Sequence, residues 1–358
     1  MGLSLAWALA RDGQRVSVFE QGMIPNALAS SYDDHRLIRT AYGDMTGYMA
    51  MVGPAYEAWD VLWSDIGQRL FVPTGTLALS TADDDWAAKS ASALTHARID
   101  HERLRPEELV GRYPELRVDG VAMALYVDEG GVLLANRISA ALSDRLPFMG
   151  VNLMQQTHVT VVEPETATVT LTDGATSTAD VLVVAAGPWI LRLLPQFSDR
   201  VTPHRQVLAY LEPPADRADA FADYPMVLNI GQQDSFYLVP PVADSRLKVS
   251  DHRLGLEGDP EADRGVEPAE LTALMSRVNR RLAEPDAFKI SGARTCLYTT
   301  EKDERFIVEP VTPRCWVMTG FSGHGYKFGP LIGRELAAAI DGKWEHGELT
   351  RWAAGLPP

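Results

Sequence analysis

Two arginines three positions apart are the first candidate for a binding site in this sequence. Arg36 and Arg39 lie in the segment Ser31-Tyr-Asp-Asp-His-Arg-Leu-Ile-Arg39. If this segment is helical, residues three apart share one face, and two guanidinium groups there repel each other unless an anion or an acid lies between them. The pair therefore indicates an anion-binding site. The alternative is a solvated basic turn in which Asp33 and Asp34 neutralise the arginines.

Lys248 and His252 are a second candidate pair, four positions apart on either side of Val-Ser-Asp. On a strand, positions i and i+4 lie on the same face. A buried lysine there would be a preorganised positive charge, able to stabilise negative charge that develops during a reaction. If the two side chains are exposed, the spacing has no functional meaning.

Four glycines within eleven residues lead from a predicted strand to a predicted helix, in the segment Gly320-Phe-Ser-Gly-His-Gly-Tyr-Lys-Phe-Gly-Pro330. A helix N-terminus offers free amides and a partial positive charge, which suit a phosphate or the anionic edge of a ring. Lys327 and His324 add a charge and hydrogen-bond donors beside these amides. The segment therefore predicts a ligand site that includes Gly323 and Gly325. The alternative is a flexible loop whose spacing arises by chance.

A continuous apolar run over 179–186 is typical of a strand buried on both faces, and it ends directly at Gly187. A glycine at the carboxyl end of such a strand lets the backbone approach a ligand closely. Gly187 is therefore a candidate contact, although a plain turn between a strand and a helix explains it as well.

The first twenty residues are typical of the second half of a βαβ dinucleotide-binding unit. Residues 2–12 have helical periodicity, and the strand that follows ends at Glu20, at about the distance from Gly2 where an acid binds the ribose hydroxyls. Met1-Gly2 supplies only the last glycine of a G-x-G-x-x-G loop, so we expect the first strand and most of that loop to be missing because the gene start is placed too late. The alternative is a surface helix and strand without a nucleotide role.

Composition and charge exclude several classes of protein. The chain has 358 residues, and its net charge of −15 without basic clusters argues against nucleic acid or an anionic membrane as a partner. Two cysteines, Cys296 and Cys315, cannot form a disulfide framework. The sequence has no Cys/His cluster, so no metal site is predicted. No segment is long and apolar enough for a membrane helix, and the apolar start lacks the basic residues of a signal peptide. A cytoplasmic protein is therefore expected.

Strand–helix alternation at both ends of the chain, around a strand-rich middle, predicts an α/β (α+β) fold with two interleaved domains. A split, Rossmann-like nucleotide-binding domain is predicted from residues 1–72, 128–200 and 293–358. A β-rich substrate-binding domain is predicted from residues 73–127 and 201–292. Helices are expected over 48–66, 83–94, 136–149, 268–282 and 330–340, strands over 75–80 and 315–320, and a polar loop over 254–266.

The chain resembles the monomeric sarcosine oxidase and N-methyltryptophan oxidase branch of the D-amino-acid-oxidase-type flavoproteins over essentially its whole length. The segments that carry the resemblance are SSYDDHRLIRTAYGD, FYLVPPVADSRLKVSDH, CLYTTEKDERFIV and GFSGHGYKFGPLIG. It implies that the split domain binds FAD, with Gly2 at the diphosphate and Glu20 at the adenosine ribose. It also implies a thioether link from Cys296 to the flavin, although other members of the wider superfamily bind FAD without this link.

The resemblance also implies roles for the charged candidates. Lys248 matches the lysine that activates oxygen, and Arg39 and Lys327 match the pair that binds the substrate carboxylate. Arg36 matches an arginine close to the flavin ring. The other matched or candidate contacts are Tyr237, His252 and Tyr298 at the substrate cavity, with His252 also a catalytic candidate, and Gly187, Gly323, His324, Gly325 and Lys327 at the cofactor.

Tyr32, a candidate substrate contact, stands where the sarcosine-specific enzymes carry a histidine. This departure puts sarcosine itself in doubt, but not an amine that carries a carboxylate. We therefore expect a monomeric FAD-dependent amine oxidase that converts a small, secondary or N-methyl amino acid to an imine and reduces O2 to H2O2. The alternatives are a dehydrogenase of the same fold that uses another electron acceptor, and a flavin-free, non-catalytic protein.

Overall fold

The computed structural model describes residues 1–230, 235–252, 256–345 and 347–357. Helices and strands are mixed along the chain, which confirms the α/β class. The helices are α1 (Gly2–Arg11), α2 (Thr46–Ile66), α3 (Trp86–Ala97), α4 (Pro106–Arg112), α5 (Ala135–Phe148), α6 (Ile190–Leu193), α7 (Ala218–Ala222), α8 (Pro268–Val278), α9 (Gly329–Ile340) and α10 (Glu348–Ala353).

The strands are short except for two long ones that pair with each other. They are β1 (Ser17–Phe19), β2 (Arg36–Arg39), β3 (Phe71–Pro73), β4 (Thr76–Ser80), β5 (Glu102–Leu104), β6 (Met123–Val127), β7 (Gly130–Leu133), β8 (Asn152–Met154), β9 (Val159–Glu163), β10 (Thr168–Leu171), β11 (Thr176–Thr178), β12 (Leu182–Val184), β13 (Val201–Glu212), β14 (Met226–Asn229), β15 (Phe236–Val239), β16 (Leu247–Ser250), β17 (Leu256–Glu257), β18 (Lys289–Glu301), β19 (Ile307–Thr312) and β20 (Cys315–Thr319).

Local sequence explains where the helices begin and end. Asp85 caps α3, because its Oδ1 accepts hydrogen bonds from the amides of Ala87 (3.1 Å) and Ala88 (3.0 Å). Gly67 ends α2 in the left-handed conformation, with φ of 74°. The predicted helix over 48–66 is therefore confirmed, with its start two residues earlier.

The most extensive sheet of the described chain runs in the order β17-β13-β16-β15-β14-β4-β6-β5. In addition, β18 pairs with β13. β13 and β18 are antiparallel along their full lengths, with Gln206 opposite Cys296. In the pairing of β13 with β16, Tyr210 lies opposite Lys248. These three strands therefore bring a cysteine, a tyrosine and a lysine into one part of the sheet.

Two small sheets contain the parallel pairs expected of a nucleotide-binding unit. β1 pairs with β8, and β12 pairs with β20, which also pairs with β19. No hydrogen bond between β1 and β12 is found among the residues that the structure describes. Both strands instead line one cavity along their whole lengths.

The segment that carries the two arginines is extended, so the possibility of a helix there is wrong. Residues 36–39 form β2, which pairs with β7 in the sheet β2-β7-β3. Leu37 and Ile38 are apolar and suit a half-buried strand. Gly130 and Gly131 of β7 have no side chain, so the neighbouring segments of the chain can pack closely against β7. Because side chains alternate along a strand, Arg36 and Arg39 point to opposite faces.

Four other predicted segments differ from the structure in extent. The helix expected over 83–94 is α3, Trp86–Ala97, and the helix expected over 268–282 is α8, which ends at Val278. The strand expected over 179–186 is β12, which is limited to Leu182–Val184. In the loop expected over 254–266, residues 254 and 255 lie outside the described residues, and β17 follows them. Beyond it, Glu261 accepts a hydrogen bond from the Trp189 indole, and Asp259 pairs with Arg192 at 3.2 Å.

Close packing of α1 against α9 fixes the relative position of two helices whose first residues line the cavity. An added Cβ at Gly333 of α9 would lie 2.8 Å from the backbone carbon of Ser4, and the neighbouring helical turn brings Gly329 to the Ser4 side chain. Trp7 of α1 is fully buried in the same core. The glycines therefore fix how near the two helices lie and so where the N-terminus of α1 points.

The proposed division into a nucleotide-binding and a substrate-binding domain stays a prediction. None of the helices in the described ranges combines the length and hydrophobicity that a membrane crossing requires.

We predict that Gly333→Ala lowers the free energy of unfolding by about 1–3 kcal/mol, because the new methyl group meets helix backbone that cannot move aside locally. Urea or thermal unfolding measures the change. Gly111→Ala is the matched control, since Gly111 lies in α4 with no atom near its would-be Cβ. It should keep or slightly raise stability, and equal losses in the two variants would contradict the packing argument.

Candidate functional site

A cavity of about 1680 Å³ runs along β1 and β12, from the residues before each strand to the residues after it. This exceeds the roughly 300–1,000 Å³ of ordinary small-molecule pockets, and it therefore has room for a ligand as large as a dinucleotide. Its wall includes seven residues singled out from the sequence, which are Gly2, Glu20, Arg36, Gly187, Tyr298, Gly323 and Gly325.

Two glycines of this wall have conformations or contacts that other residues do not tolerate. Gly187 has φ of 53° and Gly323 has φ of 76°. A Cβ at Gly323 would lie 2.5 Å from a ring carbon of Tyr298. Glycine at both positions therefore keeps the backbone close to the cavity, as the sequence suggested.

A buried charge cluster lies beside the cavity and consists of Asp33, Arg36, Tyr210 and Lys248. We call it the Asp33 cluster. Lys248 Nζ donates to Asp33 Oδ2 (2.8 Å) and to the His35 carbonyl (3.0 Å). Arg36 Nη1 donates to the same carboxylate oxygen (2.6 Å), and the Tyr210 hydroxyl donates to Oδ1 (2.7 Å). Arg36 lines the cavity, so this cluster connects the cavity to β16.

The charges in the Asp33 cluster stabilise one another. Burial raises the pKa of Asp33, but Lys248 and Arg36 outweigh burial and hold that pKa well below its usual range. Burial lowers the pKa of Lys248, and Asp33 partly offsets this fall. Burial would also lower the pKa of Arg36, but Asp33 raises it above its usual value. The cluster therefore holds two cations and one anion, which leaves one net positive charge.

A second group of buried cations surrounds Tyr42 and consists of Arg39, Tyr42, His324 and Lys327. We call it the Tyr42 cluster. Lys327 Nζ donates to the Tyr42 hydroxyl (3.0 Å) and to the His324 carbonyl (2.9 Å). The Arg39 guanidinium lies 4.4 Å from the centre of the Tyr42 ring and donates to the Ala41 carbonyl. Arg39 is 9% exposed and Lys327 is 3% exposed.

The cations of the Tyr42 cluster have Glu304 as a nearby acid, which raises the pKa of Arg39, but they do not pair with it. Among the described residues, neither Arg39 nor Lys327 has a salt bridge with an acid, in contrast to Lys248. Burial lowers the pKa of both residues, and Arg39 lowers that of Lys327 further. His324 is buried as well, and burial followed by Lys327 keeps its pKa well below the usual value, so it is neutral. These two buried basic groups are therefore available for an external anion, whose negative charge would raise both pKa values again.

The remaining side-chain candidates connect the two clusters or lie outside them. His252 lies beyond the end of β16, so the expected shared strand face with Lys248 is wrong. Its Nε2 is 3.6 Å from Glu304, and its ring centre is 6.4 Å from that of Tyr298. Tyr298 hydrogen-bonds Tyr237, and the Tyr237 ring centre lies 5.8 Å from Lys248 Nζ.

The carbonyl of Tyr32 accepts a hydrogen bond from Arg36 Nη2 (3.2 Å), and the Arg294 guanidinium lies 4.6 Å from the centre of the Tyr32 ring. Its side chain therefore packs against another surface residue of β18.

Cys296 is buried in β18 near the Asp33 cluster. Burial raises the pKa of its thiol, and Arg36 opposes this rise. Both Cys296 and Cys315 have free thiols. The nearby guanidinium is the feature that favours a thiolate at Cys296.

The family profile described as "FAD dependent oxidoreductase" (DAO) matches residues 1–339. The chain belongs to this family. Monomeric sarcosine oxidase from Bacillus sp. (strain NS-129) is 27% identical over 356 residues, covering 97% of this chain and 92% of that protein. Peroxisomal sarcosine oxidase from Homo sapiens is 28% identical over 349 residues, covering 94% and 88%.

Solved structures share the fold. L-Proline dehydrogenase from P. horikoshii matches with a TM-score of 0.82 at 18% identity, covering 100% of this chain and 96% of that chain. Glycine oxidase from Bacillus cereus ATCC 14579 matches with a TM-score of 0.77 at 19% identity, covering 97% and 94%. The resemblance read from the sequence is therefore confirmed, and so is FAD as the cofactor.

The cavity wall fits FAD at its anionic and ribose parts. The first turn of α1, at Gly2, has neither a side-chain cap nor an acidic residue, so its amides can face a diphosphate. Glu20 Oε1 accepts from the Gly22 amide (2.9 Å) and from Asn26 (2.8 Å). These bonds hold the carboxylate at the end of β1, where a ribose hydroxyl can donate to its other oxygen.

Two buried hydroxyl groups supply the independent evidence for this fit. Thr299 of β18 and Thr319 of β20 line the cavity, and their Oγ1 atoms have no hydrogen-bond partner in the described part of the chain. Buried polar groups are normally paired, so both hydroxyls are placed for a ligand with hydrogen-bonding atoms. FAD carries such atoms along its whole length.

Reasoning from the sequence missed five residues of this site. Asp33 was considered only as a surface counter-charge, and Tyr42, Tyr210, Thr299 and Thr319 were not singled out. The one available signal was the position of Asp33 and Tyr42 within three residues of the two arginines. The pairing of distant strands that brings the other three residues to the cavity has no local signature.

We predict that Thr319→Val lowers FAD affinity about three- to tenfold without reducing the stability of the flavin-free protein, because only a bond to the ligand is lost. Fluorescence titration with FAD and urea unfolding measure the two effects.

Thr300→Val is the control, since Thr300 Oγ1 donates to the Thr202 carbonyl (3.0 Å) away from the cavity. This control should lose about 1 kcal/mol of stability and keep its FAD affinity. The reverse pattern would contradict the assignment of the Thr319 hydroxyl.

Proposed function

We propose that the protein is an amine oxidase that converts a small, secondary or N-methyl amino acid to an imine and reduces O2 to H2O2. The observation that carries this proposal is the pair of buried basic side chains, Arg39 and Lys327, neither of which makes a salt bridge in the described chain. A substrate carboxylate supplies the missing negative charge. The relatives named sarcosine oxidase and N-methyl-L-tryptophan oxidase support the choice of amine.

The Tyr42 cluster binds and orients the substrate. A planar guanidinium can hold both oxygens of a carboxylate, while the Lys327 ammonium attracts it as a point charge. Burial strengthens both interactions, because water does not screen them. Tyr42 holds Lys327 Nζ in place through its hydroxyl, and its ring limits where Arg39 can move.

Bound FAD supplies the acceptor for the hydride equivalents that leave the carbon next to the amine. The chain contributes orientation and charge around that reaction. Tyr237 and Tyr298 stay protonated at neutral pH, because burial raises the pKa of Tyr237 to about 12 and that of Tyr298 well above its usual value. Their hydroxyls can therefore donate hydrogen bonds within the substrate space, and His252 closes its side next to Tyr298.

Lys248 has the role of a fixed cation for the reaction with oxygen. An ammonium group held beside the site where O2 gains an electron stabilises the charge of nascent superoxide. Two hydrogen bonds already orient this ammonium, so no reorganisation is needed when the charge appears. Arg36 contributes a second positive charge at the cavity wall.

Several finer assignments remain part of this proposal. Cys296 is the proposed site of a thioether link to the flavin, supported by its position near Arg36. Gly187, Gly323, His324 and Gly325 are the proposed contacts of the flavin end of FAD. We also propose a monomer in the cytoplasm, in keeping with two free thiols and with relatives named monomeric sarcosine oxidase.

We predict peroxide formation when the flavin-loaded protein is incubated with N-methyl amino acids or cyclic imino acids. The corresponding amines without a carboxylate should react at least tenfold more slowly at equal concentration, because they lack the group that Arg39 and Lys327 bind. A coupled peroxidase assay measures the product. Reduction of an artificial dye by these substrates without peroxide would show a dehydrogenase instead, and equal rates with the decarboxylated amines would reject the carboxylate site.

We predict that Lys327→Met raises KM for the best substrate about ten- to hundredfold, because a buried charge-assisted bond to the carboxylate is lost. Arg39→Met should raise KM at least as much, since a bidentate contact disappears. Steady-state kinetics of the flavin-loaded variants measures both changes. Arg200→Met, which removes an exposed partner of Glu309, is the control and should leave KM unchanged.

A further inference from the structure

The carboxylate of Asp33 is fully enclosed and makes four hydrogen bonds. Oδ2 accepts from Lys248 and Arg36, and Oδ1 accepts from the Tyr210 hydroxyl and from the Asp34 amide (2.8 Å). Its side chain has no exposed surface, and that of Lys248 is 2% exposed. All four donors are therefore held in position by the same buried carboxylate, that of Asp33.

This carboxylate connects two sheets. Lys248 and Tyr210 are opposite residues of β16 and β13, whereas Arg36 belongs to β2 in another sheet. Lys248 has a further bond to the His35 carbonyl, next to Arg36 in the chain. Asp33 thus sets where the ammonium of one sheet lies relative to the guanidinium of the other.

The stability that such a pair contributes does not account for its presence. Taking an ion pair out of water costs about as much as the attraction returns, so burying charge needs another reason. Asp34, the next residue, gives the contrast, because its pair with Arg246 (2.9 Å) is partly exposed. Two adjacent acids therefore make one solvent-facing pair and one enclosed pair next to the cavity.

We propose that Asp33 is a positioning residue for the reaction with oxygen, and that it acts through Lys248 by keeping the ammonium charged and directed. The proposal rests on the proposed role of Lys248.

The surroundings of Lys248 leave Asp33 as its counter-ion. His35 is neutral, because burial and Lys248 lower its pKa to about 3. Tyr210 and Tyr237 are neutral, because burial raises the pKa of each. Cys296 is uncharged, because burial raises the pKa of its free thiol and a thioether carries no charge. Arg36 is the other charged group, and it repels the ammonium.

These charges determine in which direction the loss of Asp33 shifts the pKa of Lys248. Burial and Arg36 lower the pKa of Lys248, and Asp33 raises it. Without the carboxylate that pKa falls further, so Lys248 loses its proton as the pH rises. Oxygen reactivity that depends on the ammonium is then present at acidic pH and lost at alkaline pH.

The first experiment measures the oxygen reaction without any substrate. Flavin-loaded wild type, Asp33→Asn and Asp34→Asn are reduced chemically without air, and stopped-flow absorbance follows reoxidation between about pH 6 and pH 9. We expect similar, nearly pH-independent rates for wild type and Asp34→Asn. Asp33→Asn should lose about tenfold or more towards pH 9. A pH profile of Asp33→Asn parallel to that of Asp34→Asn would overturn the proposal.

Removing Lys248 tests whether Asp33 acts through it. In the Lys248→Met background, adding Asp33→Asn should change the reoxidation rate by less than about twofold at any pH. A tenfold loss in that background would mean that Asp33 acts independently of Lys248, and would overturn the proposal.

The midpoint reduction potential provides a readout that involves neither substrate nor oxygen. At acidic pH, Asp33→Asn has one more positive charge than wild type, so its potential should be higher. At alkaline pH the neutral Lys248 cancels this excess, and the two potentials should converge. A difference that stays constant with pH would show that Lys248 does not titrate, against the proposal.

These measurements separate the proposal from the proposed function. If wild type does not react with oxygen, the oxidase assignment fails, and the potentials still show whether Asp33 controls the charge of Lys248.

If Asp33→Asn does not retain flavin, Asp33→Glu is compared with Asp34→Glu. The first should keep a flat pH profile but react at least fivefold more slowly, because the carboxylate is displaced. Equal rates would overturn the proposal.

Discussion

Burial of positive charge is the constraint on which this structure depends. Four basic residues, Arg36, Arg39, Lys248 and Lys327, are mostly or fully removed from water, and Arg36 lines the cavity. Each loses hydration, and like charges repel strongly where water does not screen them. The fold compensates for this with carbonyl oxygens and one enclosed carboxylate that accept hydrogen bonds from these residues, and with aromatic faces that pack against them. The pairing of β13 with β16 holds two of these groups in place, because it sets Tyr210 opposite Lys248.

The strand geometry of residues 36–39 explains why the cations form two groups. On a helix, Arg36 and Arg39 would meet at one anion. On β2 they point to opposite faces, so Arg36 joins Lys248 and Arg39 joins Lys327. One short strand therefore serves two chemically different places. The pairing of β2 with β7, where glycines allow close approach, keeps this separation fixed.

Much of this could be predicted from the sequence, because helical periodicity and glycine-rich turns are local signals. The helix α2, the strand β20 and the turn at Gly323 follow from neighbouring residues alone. The enclosure of Asp33 could not be predicted, since it depends on β13 and β16, which lie far away in the chain. An acid beside two arginines is also what an exposed turn looks like. Only the register of Tyr210 opposite Lys248 distinguishes the two situations.

The two clusters solve the same electrostatic problem in opposite ways, and this difference suits their proposed roles. The Asp33 cluster contains its own anion, so its net charge does not depend on a ligand. The Tyr42 cluster contains none, so a bound carboxylate there would offset the burial and the effect of Arg39 that lower the pKa of Lys327. A fixed charge serves a small neutral reactant such as O2, whereas an unbalanced one selects an anion.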